Sequence, residues 1–266
     1  MQYSESGGMH MRIVVKIGTS TLAHKTGHLN IRRVEQICKV LSDIKNSGHE
    51  LILVSSGAIG MGVGKLGLRQ RPTDMPTKQA AAAVGQCELM YFYDKIFEEY
   101  HHTVAQLLIT KEDIRCESRH ANFNNTLNRL LELGALPILN ENDTIATDEI
   151  VIGDNDTLAA IVAESVKADL LVLLSDIDGL YTADPHNDPN AKLIHTVHKI
   201  DEKIMALAGV SSTNLGTGGM VTKLRAADIC LKCGCDMVIA NGKNPDLLYG
   251  ILEGEQVGTK FTETSL

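Results

Sequence analysis

Two short polar clusters near the middle of the chain carry residue types that can hold a small charged ligand. The first, Asn140–Asp143, ends an apolar run, and the second, Gly153–Asp156, begins another apolar stretch ten residues later. Carboxamides offer donors and acceptors at fixed angles, and carboxylates can bind an ammonium group or a lysine. The clusters therefore predict a site that orients a small, charged, hydrogen-bonding ligand.

Two lysines and two glycine-containing turns supply the positive groups that phosphate chemistry needs. Lys16 lies at the end of a β-branched run, and Lys223 follows the glycine-rich segment Val210–Thr222. Another apolar run leads into Ser56 and Gly57, and glycine lets backbone amides approach an anion closely. Phosphoryl transfer mainly requires positioned reactants and neutralised charge. The combined set predicts a phosphoryl-transfer site.

The overall charge and the termini limit the classes of partner. The chain has 25 Lys and Arg against 33 Asp and Glu, a formal net charge of −8, which argues against nucleic-acid binding. No apolar run approaches the roughly 20 residues that span a bilayer. Residues 1–11 lack the plan of a signal peptide. We expect a cytoplasmic protein with a flexible leader at 1–11 and no membrane partner.

Alternating apolar patterns predict the elements that position these residues. Strands are expected at Arg12–Gly18, Glu50–Ser55, Thr103–Thr110, Ala135–Leu139, Asp169–Ser175 and Asp236–Ala240, with a small strand at Thr147–Ile152 and an edge strand at Gly258–Phe261. Helices are expected after the cap Asn30, and at Pro76–Glu99, Asn122–Leu133, Leu158–Val166, Lys223–Cys233 and Pro245–Leu252. This order predicts the α/β class: a three-layer α/β/α sandwich around a mainly parallel central sheet.

Two local motifs have ordinary structural explanations. The GxGxxG pattern at Gly62–Gly67 begins several residues after its strand, which is too late for a dinucleotide fingerprint. The small-residue run Ala80–Ala83 favours close packing within the chain over contact with a symmetry mate. The GxGxxG match is therefore weak, and Ala80–Ala83 is expected to serve packing within the chain.

The cysteines near the C-terminus lack the partners of a zinc site. Cys230, Cys233 and Cys235 form a CxxCxC pattern without a second CxxC, and His195 and His198 are expected in a loop. We predict reduced core or helix residues, in a helix that ends at Gly234.

Seven motifs, in order, resemble the amino acid kinase family, and within it the members that phosphorylate glutamate. The motifs are Lys16–Ser20, Val54–Ala58, Lys78–Gln86, Ile138–Thr147, Gly153–Asp156, Asp178–Pro185 and Gly216–Lys223. The resemblance implies the amino acid kinase fold in one domain, 12–266. It also implies a glutamate-binding lobe at about 12–170 and a nucleotide-binding lobe at about 171–266. The sequence departs from many family members in that only a few residues follow Phe261, so we expect no C-terminal PUA domain.

The resemblance further implies an activity. ATP, with Mg²⁺ held mainly by its phosphates, would phosphorylate the γ-carboxylate of L-glutamate to L-glutamyl 5-phosphate, the first step of proline biosynthesis. Lys16 and Lys223 would contact the transferring phosphate, and Asp156 would hold both lysines. Proline is the implied feedback inhibitor, and a homo-oligomer, dimer or tetramer, is the implied assembly.

Binding residues carry over by the same motifs. Those that resemble glutamate contacts are Ser56, Gly57, Asp143 and Asn155, with Asp143 suited to the substrate ammonium. Those that resemble ATP contacts are Lys16, Ser175, Asp176, Thr217, Gly218, Gly219, Met220, Val221, Thr222 and Lys223.

Three alternatives stay open at this point. The chain could be a family member that acts on acetylglutamate, aspartate, carbamate or UMP, although Ile138–Thr147 favours glutamate. It could be a Rossmann dehydrogenase that uses Gly62–Gly67. It could be a non-catalytic glutamate or proline sensor, although the presence of Lys16, Asp156 and Lys223 argues for catalysis.

Overall fold

An eight-stranded sheet is the centre of the computed structural model, which describes residues 10–24, 26, 28–145, 154–185, 187–208 and 219–263. The strands described are β1 Arg12–Ile17, β2 Glu50–Ser55, β3 Val104–Ile109, β4 Leu136–Glu141, β5 Leu170–Ser175, β6 Leu180–Tyr181, β7 Leu193–Ile194, β8 Thr196–Val197, β9 Asp236–Asn241 and β10 Thr259–Phe261. The sheet order is β3-β4-β2-β1-β5-β9-β10-β8, while β6 and β7 form a separate antiparallel pair.

Strand pairing confirms the predicted α/β class. Every pairing in the large sheet is parallel except that of β9 with β10. The central strand β5 is buried along its whole length, as an apolar strand covered on both faces must be. The helices between consecutive parallel strands supply that cover.

The helices begin and end at the residue types that the sequence provides for caps. The helices described are α1 Thr19–Leu22, α2 Ile31–Asn46, α3 Ala58–Lys65, α4 Met75–Glu98, α5 Lys111–Arg115, α6 Glu117–Glu132, α7 Asn155–Val166, α8 Glu202–Ala208, α9 Met220–Cys233 and α10 Leu247–Leu252. The side chains of Asn30, Asp74 and Asp154 each accept a hydrogen bond from the backbone N–H three residues later. Gly234, at φ 74°, ends α9 as predicted.

Two apolar layers lie on opposite faces of the sheet, and the layer that a strand residue packs in shows which face its side chain is on. In β1, Val14 packs in the layer that contains residues of α6, α7 and α9, whereas Ile13 and Val15 pack in the layer that contains residues of α2 and α4. Because side chains alternate along a strand, Lys16 lies on the same face as Val14. This parity directs Lys16 toward α7 and α9.

Three sequence expectations about strands are wrong in detail. β4 continues through Asn140 and Glu141, because both residues pair with β3. The strand at Thr259–Phe261 is not at the edge, since β8 pairs outside it. β8 lies between His195 and His198, where a loop was expected. A two-residue strand is too short to give a periodic signal.

Glycines bring α3 and α4 unusually close together. A Cβ on Gly62 would lie 1.8 Å from the carbonyl oxygen of Ala81, and a Cβ on Gly85 would lie 1.7 Å from that of Ala58. Gly62 is inside α3, not in a turn between strand and helix. Close helix packing therefore accounts for Gly62, and a dinucleotide fingerprint at Gly62–Gly67 lacks its required turn.

Several sequence expectations fall outside the described residues. They are most of the leader (residues 1–9), the small strand at Thr147–Ile152, and residues 209–218 of the glycine-rich segment. Within the described part of the chain, no helix is long and apolar enough to cross a membrane.

Candidate active site

The carboxyl ends of four neighbouring parallel strands converge on one region of the molecule. β4, β2, β1 and β5 are consecutive in the sheet, and their C-terminal residues all lie at the same edge. Helices α1, α3 and α7 begin near that edge. Ligands of open α/β sheets bind in this position, where strand ends and helix N-termini meet.

One carboxylate joins lysines from opposite ends of the chain. Asp156 Oδ1 lies 2.6 Å from Lys16 Nζ, and Asp156 Oδ2 accepts a hydrogen bond of 3.0 Å from Lys223 Nζ. Lys16 comes from β1, Asp156 from the first turn of α7, and Lys223 from the first turn of α9. The three residues predicted to act together are thus in direct contact.

Burial makes this cluster electrostatically strong. Asp156 is 1% exposed, Lys16 8% and Lys223 5%. Burial opposes ionisation of Asp156, but the charges and hydrogen bonds of Lys16 and Lys223 outweigh it and hold the pKa of Asp156 below its usual value. Among these three side chains, one anion lies between two cations in a place that screens charge poorly. Positive charge in such a place can attract an anion such as phosphate.

The start of α9 is tied to the same carboxylate. The Thr222 hydroxyl lies 2.9 Å from Asp156 Oδ2 and 2.7 Å from the carbonyl oxygen of Gly219, the N-cap residue. Met220 and Val221 complete the first turn. A helix N-terminus favours an anion, because its first amides lack partners within the helix. Thr217 and Gly218, also predicted to bind nucleotide, lie outside the described residues.

Gly57 provides the turn between β2 and α3. It has φ 104°, a left-handed conformation that favours glycine, and it is the N-cap of α3. A Cβ at this position would be 3.7 Å from Leu22 and 3.9 Å from Thr19, so α1 is packed beside the turn. The N-termini of α1 and α3 are therefore neighbours at the ends of β1 and β2.

Asn155 connects the strand ends to the start of α7. Its Nδ2 atom donates to Ser56 Oγ at 2.7 Å and to Asn140 Oδ1 at 2.9 Å. Asn140 Nδ2 in turn donates to Gln86 Oε1 at 2.9 Å. Two predicted substrate contacts, Ser56 and Asn155, are thus bonded directly to each other, and Asn140 and Gln86 extend the link to α4.

Asp143 lies two residues after the end of β4. Its side chain is partly buried, and burial raises the pKa of Asp143 from 3.8 to about 6. Within the described part of the chain no ion pair stabilises its carboxylate. A carboxylate that burial destabilises in this way favours the arrival of a cation.

Ser175 and Asp176 lie where β5 ends, on the other side of β1 from β2. Ser175 is 7% exposed and donates a hydrogen bond of 3.2 Å to Asp176 Oδ1, while Asp176 itself is exposed. The backbone N–H of Gly242, just after β9, donates to the Ser175 carbonyl oxygen at 2.7 Å. This arrangement fixes the strand end and leaves an accessible carboxylate beside it.

Sequence reasoning missed Gln86 and gave Asn140 no role of its own. Gln86 is 8% exposed and Asn140 2% exposed, which is unusual for amides. The available signal was the position of Gln86 on the apolar face of α4, with Leu89 one turn further and Tyr93 two turns further. A polar residue on such a face requires a hydrogen-bonding partner.

The cysteine cluster lies apart from these residues. Cys230 and Cys235 are buried near the end of α9, and Cys233 is exposed between them. No group of three or more His, Cys, Asp or Glu residues in the described ranges is placed to hold a metal ion.

Comparison with known proteins gives concordant matches. The sequence pattern of the amino acid kinase family matches residues 11–241. The chain is 52% identical over 254 residues to a glutamate 5-kinase of Clostridium perfringens, covering 94% of each chain. It is 52% identical over 249 residues to a glutamate 5-kinase of Clostridium tetani, covering 94% of this chain and 93% of that one.

A solved structure shares the fold at lower identity. The product complex of T. acidophilum isopentenyl phosphate kinase is similar with a TM-score of 0.67 and 20% sequence identity. The match covers 94% of this chain and 99% of that one.

Proposed function

Because this chain belongs to the amino acid kinase family, we propose that it transfers the γ-phosphoryl group of ATP to the side-chain carboxylate of L-glutamate. The product would be L-glutamyl 5-phosphate, the first intermediate of proline biosynthesis. Half-identical relatives that carry the name glutamate 5-kinase support the choice of acceptor. The contact of Asp156 with both Lys16 and Lys223 carries the proposal structurally.

The acceptor explains why two lysines matter more than a base. A carboxylate is already ionised at neutral pH, so no proton has to be removed before it attacks phosphorus. The barrier comes from bringing two anions together and from charge that shifts on the transferring group. Lys16 and Lys223 contact the transferring phosphate from two sides, and Asp156 keeps both ammonium groups in place. Positioned charge of this kind needs no reorganisation during the reaction.

Glutamate is bound by residues at the ends of β2 and β4 and at the start of α7. Asp143 pairs with the substrate ammonium, because its burial disfavours an unpaired carboxylate. Ser56 and Asn155 supply hydrogen bonds, and the turn at Gly57 presents backbone amides at the start of α3. These residues place the substrate within a glutamate lobe at about 12–170.

ATP is bound by the second lobe, at about 171–266. Ser175 and Asp176 lie at the end of β5, and the first turn of α9 carries Met220 to Lys223. Thr217 and Gly218 belong to the same proposed phosphate contact. Lys16 and Lys223 lie where the two lobes meet, since one comes from each.

Mg²⁺ accompanies ATP in this proposal and neutralises phosphate charge when bound. Both oxygens of Asp156 already contact lysines, so this carboxylate is not free to coordinate an ion. As the family resemblance implies, the phosphates of ATP would supply most of the ligands of the metal.

The choice of acceptor is tested by coupled measurement of ADP release. L-Glutamate, N-acetyl-L-glutamate, L-aspartate, carbamate and UMP are compared at equal concentration with ATP and Mg²⁺. We expect L-glutamate to give the highest kcat/KM by at least about a hundredfold, as hydrogen-bonded recognition of polar groups allows. A preference for any other acceptor would overturn the proposal.

Two further measurements test the other implied properties. Proline added to the same assay tests feedback inhibition, and light scattering tests the proposed homo-oligomer.

A further inference from the structure

A chain of polar side chains runs from the middle of α4 to the start of α7. Gln86 Oε1 accepts from Asn140 Nδ2 at 2.9 Å, and Asn140 Oδ1 accepts from Asn155 Nδ2 at 2.9 Å. Asn155 Nδ2 also donates to Ser56 Oγ at 2.7 Å. Four elements, α4, β4, α7 and the end of β2, are linked by these bonds.

Backbone groups fix the direction of every bond in this chain. The N–H of Glu141 can only donate, and it lies 2.9 Å from Asn140 Oδ1, so this oxygen must face it. The Ser55 carbonyl can only accept, and it lies 3.4 Å from Asn155 Nδ2. The Asn140 amino group is thereby directed to Gln86, which must present its oxygen.

The directions of these hydrogen bonds determine which donors and acceptors are left to bind a ligand. The two protons of Asn155 Nδ2 serve Asn140 at 2.9 Å and Ser56 at 2.7 Å, and the Ser55 carbonyl shares one of them at the longer distance of 3.4 Å. No described residue donates to Asn155 Oδ1. Ser56 Oγ accepts from Asn155, which leaves its own proton unused among the described contacts. The site therefore offers an acceptor on Asn155 and a donor on Ser56.

These two groups match the two ends of an amino acid. An oxygen acceptor on Asn155 favours the α-ammonium, together with Asp143, while a hydroxyl donor on Ser56 favours a carboxylate. If Asn155 were inverted, its amino group would oppose the ammonium. Its oxygen would then accept the Ser56 proton, so the hydroxyl could no longer donate to a carboxylate. An unpaired or opposed buried polar group disfavours the ligand strongly.

We propose that Gln86 is a positioning residue: it anchors the amino group of Asn140, and through Asn140 it holds Asn155 in the place where glutamate binds. The inference rests on the proposed glutamate kinase function. Gln86 is well placed for the task, because Gly85 packs its stretch of α4 against the carbonyl oxygen of Ala58 and leaves the helix little freedom to shift. Gln86 does not itself touch the substrate.

The test compares Gln86→Met, which keeps the length of the side chain but removes its acceptor, with Gln86→Glu, which keeps acceptor oxygens in the same shape. For Gln86→Met we expect the KM for L-glutamate to rise about tenfold, the effect of one lost hydrogen bond. The KM for ATP should stay unchanged and kcat within about threefold. Gln86→Glu should restore most of the affinity for glutamate. If Gln86→Met gives no folded protein, Gln86→Ala takes its place.

A second measurement does not depend on turnover. In ¹⁵N spectra of the side-chain amides, the Asn155 protons should be protected from exchange in the wild type and in Gln86→Glu, and lose protection in Gln86→Met. Equal protection in all three proteins, or equal rises in both KM values, would contradict the inference. If the wild type released no ADP with glutamate, the proposed function would fail, and amide protection alone would then decide whether Gln86 holds Asn155 in place.

Discussion

Asp156 is the residue on which the proposed chemistry depends most. It is almost fully buried, and both of its oxygens contact a lysine. Removing one partner of a buried ion pair leaves an uncompensated charge, which is far more harmful than losing a surface pair. Replacing Lys16 or Lys223 should therefore be far more harmful than replacing an exposed lysine such as Lys232 of α9.

Replacement of Lys223 tests whether a lysine paired with Asp156 is essential for catalysis. Lys223→Ala should lower kcat by a factor of about 10³ or more, because the contact with the transferring phosphate is strongest in the transition state. Glutamate binding, measured by calorimetry, should survive. Lys232→Ala is the matched control, since Lys232 is an exposed lysine of α9 that pairs with Asp228. A kcat near the wild-type value for Lys223→Ala would refute the assignment.

Asp143 gives the glutamate site a pH dependence. Its pKa of about 6 means that the carboxylate loses its charge as the pH falls through 6. A neutral Asp143 no longer attracts the substrate ammonium, so kcat/KM for glutamate should fall below pH 6. The inflection in this pH profile should report the pKa of Asp143 in the free enzyme. Asp143→Asn should raise the KM for glutamate and remove this inflection. An unchanged pH profile in the variant, or an effect confined to ATP, would show that Asp143 does not bind the ammonium.

At the scale of elements, the closeness of α3 and α4 underlies the site. α3 begins at the Gly57 turn and α4 carries Gln86, so both contribute to the same region. Their separation is set by Gly62 and Gly85, where neither helix has room for a methyl group.

Gly62→Ala should therefore destabilise the fold by about 3 kcal/mol, since the added methyl would overlap backbone atoms that cannot move alone. Gly60→Ala is the control in the same helix. A Cβ there would lie 3.7 Å from Thr19, an ordinary contact, and alanine favours a helix over glycine. Thermal or urea unfolding should show a large loss for the first variant and none for the second. Similar unfolding midpoints for both would contradict the packing account.

The sequence predicted elements well where the signal was local. Asn30 caps α2 and Gly234 ends α9, as predicted, because capping depends on residues within one turn. Of the two short strands near the C-terminus, β8 was missed and β10 was placed wrongly at the edge. Their positions depend on pairing with each other and with β9, which no local pattern records.

The candidate active site, like the helices and strands, could be predicted only where the sequence signal was local. Residues at strand ends and helix starts could be identified from composition and position. The link between Gln86 and Asn140 could not be, because the two residues are 54 positions apart and meet only through packing of α4 on the sheet. The family resemblance supplied Lys16 and Lys223 as partners, and the alternation of β1 explains why Lys16 lies on the correct face.

At the scale of the whole molecule, one sheet brings distant parts of the chain together. β1 lies between β2 and β5, so the first strand joins the region proposed to bind glutamate to the region proposed to bind ATP. Lys16, from that central strand, and Lys223, from α9, meet on Asp156. The proposed transfer of phosphate takes place where these three segments converge.

The most direct test is to trap the proposed product. An acyl phosphate reacts with hydroxylamine to give a hydroxamate, so the enzyme is incubated with ATP, Mg²⁺, hydroxylamine and L-glutamate. We expect γ-glutamyl hydroxamate to form in step with ADP and to be absent without ATP. When glutarate, which lacks the ammonium group, replaces L-glutamate, we expect much less hydroxamate of any kind. ADP release without hydroxamate, or hydroxamate formed equally well from glutarate, would contradict the account.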